Sequence, residues 1–132
     1  MLSRASVWVC LAVVLGAGCT APLDRTATVT LDHGGDYLKT YDLDGQPKEQ
    51  TIKVEVTAPD SEVDVFIITA DKQAEFDKAT GEGRVKAAAA SQIRTNKASI
   101  SATVPPKTDV RVLVQLVGTK KTEATIRMTN RK

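Results

Sequence analysis

Apolar and polar residues alternate with a period of two in four separate stretches of the chain. Ala27, Val29 and Leu31 alternate with Thr26, Thr28 and Thr30, and Ile52, Val54 and Val56 with Thr51, Lys53, Glu55 and Thr57. Ile100, Ala102 and Val104 alternate with Ser99, Ser101 and Thr103, and Ala124, Ile126 and Met128 with Glu123, Thr125, Arg127 and Thr129. Successive side chains of a strand point to opposite faces, so each stretch predicts a strand with one face on a core and one in water. The polar partners are largely threonines, whose branched side chains suit a pleated surface. Val63 to Ile68 and Val110 to Val117 carry apolar residues on both faces. They predict central strands, covered on the second side by a loop or short helix. Tyr37 to Leu43 is a further strand with mixed alternation.

The breaks between these stretches have turn chemistry. His33-Gly34-Gly35, Asp44-Gly45-Gln46-Pro47 and Pro59-Asp60-Ser61 combine residues that supply or fix the backbone angles of turns. Pro105-Pro106 must end its strand, because proline cannot donate to a ladder. Gly118 to Lys121 is read as a hairpin closure between the last two strands. The segment 71–93 is different. Asp71 is placed to cap a helix running through Ala79, with Gly81 and Gly83 as its stop. Val85, Ala88, Ala89 and Ile93 fall on one helical face. The expectation is a mainly β fold, an antiparallel β-sandwich of about seven strands, immunoglobulin- or jelly-roll-like, with one or two short helices in the 71–93 insert.

The N-terminal residues read as a targeting segment. Met1-Leu2-Ser3-Arg4 is a short basic start, Ala5 to Leu15 is uncharged, and Gly16-Ala17-Gly18-Cys19 follows with small residues. That order is a secretory signal peptide. The uncharged stretch is shorter than the roughly 20 residues that a spanning helix needs. Ala17-Gly18-Cys19 resembles the end of the lipobox of bacterial lipoproteins, with Gly16 where a leucine or similar residue is usual. The resemblance implies a diacylglyceryl group on the Cys19 sulfur, an acylated N-terminus and a membrane anchor. It assigns 1–18 to the signal peptide, 19–25 to the lipidated N-terminus and tether, and 26–132 to the sandwich. Thr20 stands where an aspartate often signals inner-membrane retention, so the resemblance favours the outer membrane, with the domain outside the cytoplasm.

Cysteine usage agrees with export. Cys10 lies in the apolar run, Cys19 is the anchor, and no cysteine follows it. The domain is expected to fold on its core alone, without a disulfide. The formal net charge of +2 conceals a division. Residues 19–82 hold 6 Lys or Arg against 14 Asp or Glu, and residues 83–132 hold 11 against 2. The halves are expected to pair as neighbouring strands and neutralise one another. A nucleic-acid partner is not expected, because Tyr37, Tyr41, Phe66 and Phe76 are not interleaved with basic residues as a stacking platform requires.

From Asp60 to Asn130 the order is an aliphatic strand (VDVFII), an insert beginning TADKQAEFDK, a serine-rich strand (ASISATVPP), an aliphatic strand (VRVLVQLV) and a final alternating strand (ATIRMT). This resembles the β-sandwich domains of the bacterial pre-peptidase C-terminal type and the related GOLD-like domains. The resemblance implies an accessory or adaptor module.

Few residues offer site chemistry. His33 is the one histidine, in a glycine-rich turn beside Asp32 and Asp36, and no nucleophile elbow accompanies it. Asp42-Leu43-Asp44-Gly45 resembles a fragment of a calcium loop, but the position that needs a bidentate glutamate is Lys53. Glu62, Asp64 and Asp71 are a second acidic group, read as solvated surface. No catalytic residue, metal ligand or cofactor is expected, and the ligand-binding residues stay open. The expected function is that of a non-enzymatic, lipid-anchored envelope protein whose sandwich binds an envelope protein or polymer. A freely secreted protease-accessory or inhibitor-like module is the first alternative, and a small hydrolase using His33 the second.

Overall fold

The structure is a computed structural model and describes residues 22–130. Eight strands form two four-stranded antiparallel sheets. The strands are β1 (Asp24–Leu31), β2 (Leu38–Leu43), β3 (Gln50–Thr57), β4 (Val63–Thr69), β5 (Ala90–Thr95), β6 (Lys97–Val104), β7 (Val110–Leu116) and β8 (Thr122–Thr129). One sheet has the order β1-β8-β3-β6 and the other β2-β7-β4-β5. Every link except that from β4 to β5 therefore crosses between sheets. This is the expected antiparallel sandwich.

The alternation places the core. Leu31, Ile52, Val54, Val56, Ile126 and Met128 of the first sheet and Val63, Val65, Ile67, Val112, Val114 and Leu116 of the second are almost wholly buried. They form one cluster between the sheets. β4 and β7 are the two inner strands of the second sheet, as their two-sided apolar runs require. Their outer faces present Phe66, Ile68 and Leu113, which would be costly to leave in water. A helical insert covers them, placing Phe76 and Ala87 on the same cluster. The insert holds a 3₁₀ turn (Ala70–Lys72), helix α1 (Gln73–Lys78) and helix α2 (Glu82–Ala87). Six-residue helices are not stable alone in water, so packing of Phe76 and Ala87 holds them in place.

Every strand pairing joins a strand from residues 24–69 to one from residues 90–129. The acidic and basic parts of the chain are thus interleaved. Asp42 sits opposite Arg111 and pairs with it at 2.8 Å, and Asp24 pairs with Arg127 at 3.4 Å.

Four sequence expectations need correction. Asp71 lies inside the 3₁₀ turn and makes no capping bond. Gly81, with a positive φ of 54°, begins α2 instead of ending α1, which stops at Ala79 in extended conformation. Ile93 belongs to strand β5, because pairing with the open side of β4 outweighs the helix propensity of the alanine run. Gly118 to Lys121 closes no hairpin, since β7 and β8 lie in different sheets. In addition, β1 takes in Asp24 and Arg25, which the sequence puts in the tether.

Candidate functional site

Cys19 lies outside the described residues. The Leu23 amide donates to Asn130 Oδ1 at 2.8 Å, and Asn130 Nδ2 donates to Gln50 Oε1 at 3.0 Å. Because Leu23 fixes which Asn130 atom accepts, the chain of bonds leaves Gln50 Nε2 as a buried donor without a partner among the described residues. Two clefts of about 390 and 280 Å³ open at this end, and Asp42 and Asp44 line both. Asp42 is occupied by Arg111, whose guanidinium is held above its ordinary value chiefly by that hydrogen bond, against the opposing effect of burial. The Gly45 amide donates to Asp109 Oδ1 at 2.7 Å. The Asp-x-Asp-Gly segment therefore serves to join the 44–49 and 105–109 loops.

The opposite end carries His33. Gly35 N–H donates to Asp32 O at 3.0 Å, closing a turn, and Gly34 N–H donates to the Asp32 carboxylate at 3.1 Å. His33 Nε2 lies 2.8 Å from the Gly118 carbonyl, so it donates there, and the ring stacks on Tyr37. No serine hydroxyl bonds the ring among the described residues. Glu62 accepts the amides of Val117 and Gly118 through its backbone carbonyl, while Asp64 and Asp71 lie near opposite ends of β4. The acidic residues read together from sequence do not converge. Among the described residues no three His, Cys, Asp or Glu are arranged to hold a metal ion, and no helix is long and apolar enough to cross a membrane.

A groove of about 520 Å³ lies on the outer face of the second sheet, between β5 and the helical insert. Its size falls in the range of ligand pockets. Phe66, Val85 and Ile93 are its apolar lining, beside the basic residues Arg84 and Arg94 and the acids Asp64 and Glu82. Arg84 is half-buried. Its Cζ lies 4.9 Å from the centre of the Phe76 ring, its Nε donates to Ala79 O at 3.1 Å, and its Nη1 reaches Gln115 Oε1 at 3.4 Å. Among the described residues both hydrogen-bond partners are neutral.

Arg94 reaches the groove through a β-bulge. Val63 faces Thr95 and Val65 faces Gln92, so β5 carries one residue more than β4 over this step. Arg94 has a φ of 51°, a left-handed conformation unusual without glycine. Its amide, removed from the ladder, donates to Asp64 Oδ1 at 2.8 Å. Among the described residues neither Arg84 nor Arg94 forms an ion pair. Sequence reasoning missed both, because each is a single basic residue in a basic half and neither spacing nor motif marks them.

No family model and no curated protein sequence matches this chain. Several solved structures share its fold, among them the following two. The pre-peptidase C-terminal domain of a collagenase from Bacillus anthracis superposes with a TM-score of 0.58 at 14% identity, over 80% of this chain and 89% of that one. The Yersinia pseudotuberculosis-derived mitogen gives a TM-score of 0.53 at 7% identity, over 85% of this chain and 89% of that one. The sandwich therefore resembles the pre-peptidase C-terminal fold. At these identities the likeness is one of fold alone.

Proposed function

We propose that this chain is an exported, non-enzymatic binding module of the bacterial cell envelope, lipid-anchored through Cys19 and engaging its partner in the groove between β5 and the helical insert. The observation that carries the binding role is the groove itself, where apolar residues adjoin a half-buried Arg84 whose hydrogen-bond partners among the described residues are neutral. A fold shared with the pre-peptidase C-terminal domain of a collagenase supports a module that positions or binds. The lipobox-like Ala17-Gly18-Cys19 supports the anchor.

Leu23, bonded to Asn130, stands four residues after Cys19, so it lies at most about 14 Å from the anchor. Such a tether keeps the domain against the membrane and raises its effective concentration there. The groove residues Asp64, Arg94 and Gln115 belong to the strand ends opposite Leu23. The binding surface thus lies toward the free end of the tethered domain, in the orientation suited to a partner in the surrounding envelope.

Labelled palmitate tests the anchor. The protein should incorporate label and remain in membrane fractions, and Cys19→Ser should lose both. Release of the unaltered protein into the medium without label would favour a freely secreted module. Hydrolytic activity that His33→Ala abolishes without loss of fold would contradict the non-enzymatic reading.

A further inference from the structure

We infer that the helical insert, residues 70–89, is a hinged lid that swings off the second sheet as one body while the sandwich stays folded. Its hold on the sheet is slight. Among residues 70–89 only Phe76 and Ala87 are buried, and they meet Phe66, Ile68 and Leu113 in a small cluster apart from the main core. Strands β3 and β8, by contrast, bury four residues each. Between the two ends of the insert, one hydrogen bond among the described residues reaches the sheet, from Arg84 Nη1 to Gln115 Oε1 at 3.4 Å. No side-chain hydrogen bond caps the 3₁₀ turn, α1 or α2 at its start. A region with so few buried apolar contacts opens at a lower free energy than the core around it.

The ends of the insert are held where its body is not. The Ala70 amide donates to Asp109 O at 2.9 Å and the Ala89 amide to Ile67 O at 2.8 Å. Both ends leave the sheet at neighbouring strands, since Ile67 of β4 pairs with Ala90 of β5. These two bonds form the hinge, and opening need not part the ends. Contacts inside the insert travel with it. Arg84 Nε donates to Ala79 O at 3.1 Å, and the Arg84 Cζ lies 4.9 Å from the centre of the Phe76 ring, which joins α2 to α1. Opening uncovers Phe66, Ile68 and Leu113, and the cost of wetting them keeps the closed form dominant. It also carries Arg84 and Val85 away from Ile93, and so widens the groove. The motion goes beyond the function proposed above and holds or fails whatever the groove binds.

Amide hydrogen exchange, followed by NMR on the full detergent-extracted chain, tests the lid. The amides bonded within α1 and α2 should share one level of protection. They should exchange at least about a hundredfold faster than those of β3, which is paired on both sides. Low urea should speed the β3 amides far more than the insert amides, because lid opening exposes less surface than global unfolding. Phe76→Ala should bring the insert amides close to free-peptide rates with β3 still protected. Arg84→Gln keeps Phe76 but removes the bond to Gln115, and should speed the insert amides several-fold with β3 unchanged. Equal protection and equal urea dependence in the insert and β3 would overturn the inference. So would different protection of α1 and α2, or β3 exchange that quickens in step with the insert in Arg84→Gln.

Discussion

The ring of Phe76 in α1 meets that of Phe66 in β4 edge to face, with centroids 5.0 Å apart and planes at 71°. This contact fastens the insert to the outer face of the second sheet, and Phe76 is almost wholly buried. Removing a buried aromatic ring costs about 3–5 kcal/mol through lost burial and the cavity left behind. Phe76→Ala should lower stability by that amount in denaturant unfolding, and Phe76→Leu by much less.

Gly45 lies where two loops touch. A Cβ there would stand 2.6 Å from Lys107 C and 2.6 Å from Thr108 N, both backbone atoms that cannot swing aside. Gly45→Ala should destabilise the fold by about 1–3 kcal/mol. Gly35 has open space around it, and Gly35→Ala should change stability by less than about 0.5 kcal/mol. Thermal melts of the two variants give the comparison.

Arg111 and Asp42 join β2 to β7 at the tether end. Arg111 is held above its ordinary value first by the Asp42 hydrogen bond. A raised folded-state value stabilises below the unfolded value and is lost only as pH rises through the folded one. For a guanidinium that loss lies in strong alkali. Both side chains are more than a third exposed, so Arg111→Gln should cost only about 0.2–1 kcal/mol. The Arg111 contribution should stay constant between about pH 6 and pH 10, which denaturant titration across that range would check.

The β5 bulge makes opposed predictions for its two residues. Arg94→Gly relieves a left-handed residue and should raise stability by about 1 kcal/mol. Asp64→Ala leaves the Arg94 amide without its 2.8 Å acceptor and should lower stability by about 1 kcal/mol. Urea unfolding of both variants measures the pair of shifts.

Most of the sandwich was legible because its strands are patterned by burial. Ile52, Val54 and Val56, or Ala124, Ile126 and Met128, alternate so regularly that one face must be core. The two-sided runs of β4 and β7 also announced the cover that Phe76 and Ala87 supply. Strand β5 was not legible. Its approach, Ala87 to Ala90, favours helix locally, and only the vacant side of β4, a long-range fact, draws Ala90 to Thr95 into a ladder. The link from Gly118 to Lys121 looked like a hairpin because its residues suit one. Nothing local reveals that Leu116 and Thr122 belong to different sheets. The groove was hidden for the same reason, since Arg84, Arg94 and Gln115 are brought together only by the fold.

Intact-mass measurement of the protein purified from membranes tests the anchored-module account most directly. The account predicts a chain beginning at Cys19 with the added mass of a diacylglyceryl group and an acyl chain, absent from Cys19→Ser. A chain still beginning at Met1, or a processed chain carrying no lipid mass, would contradict it.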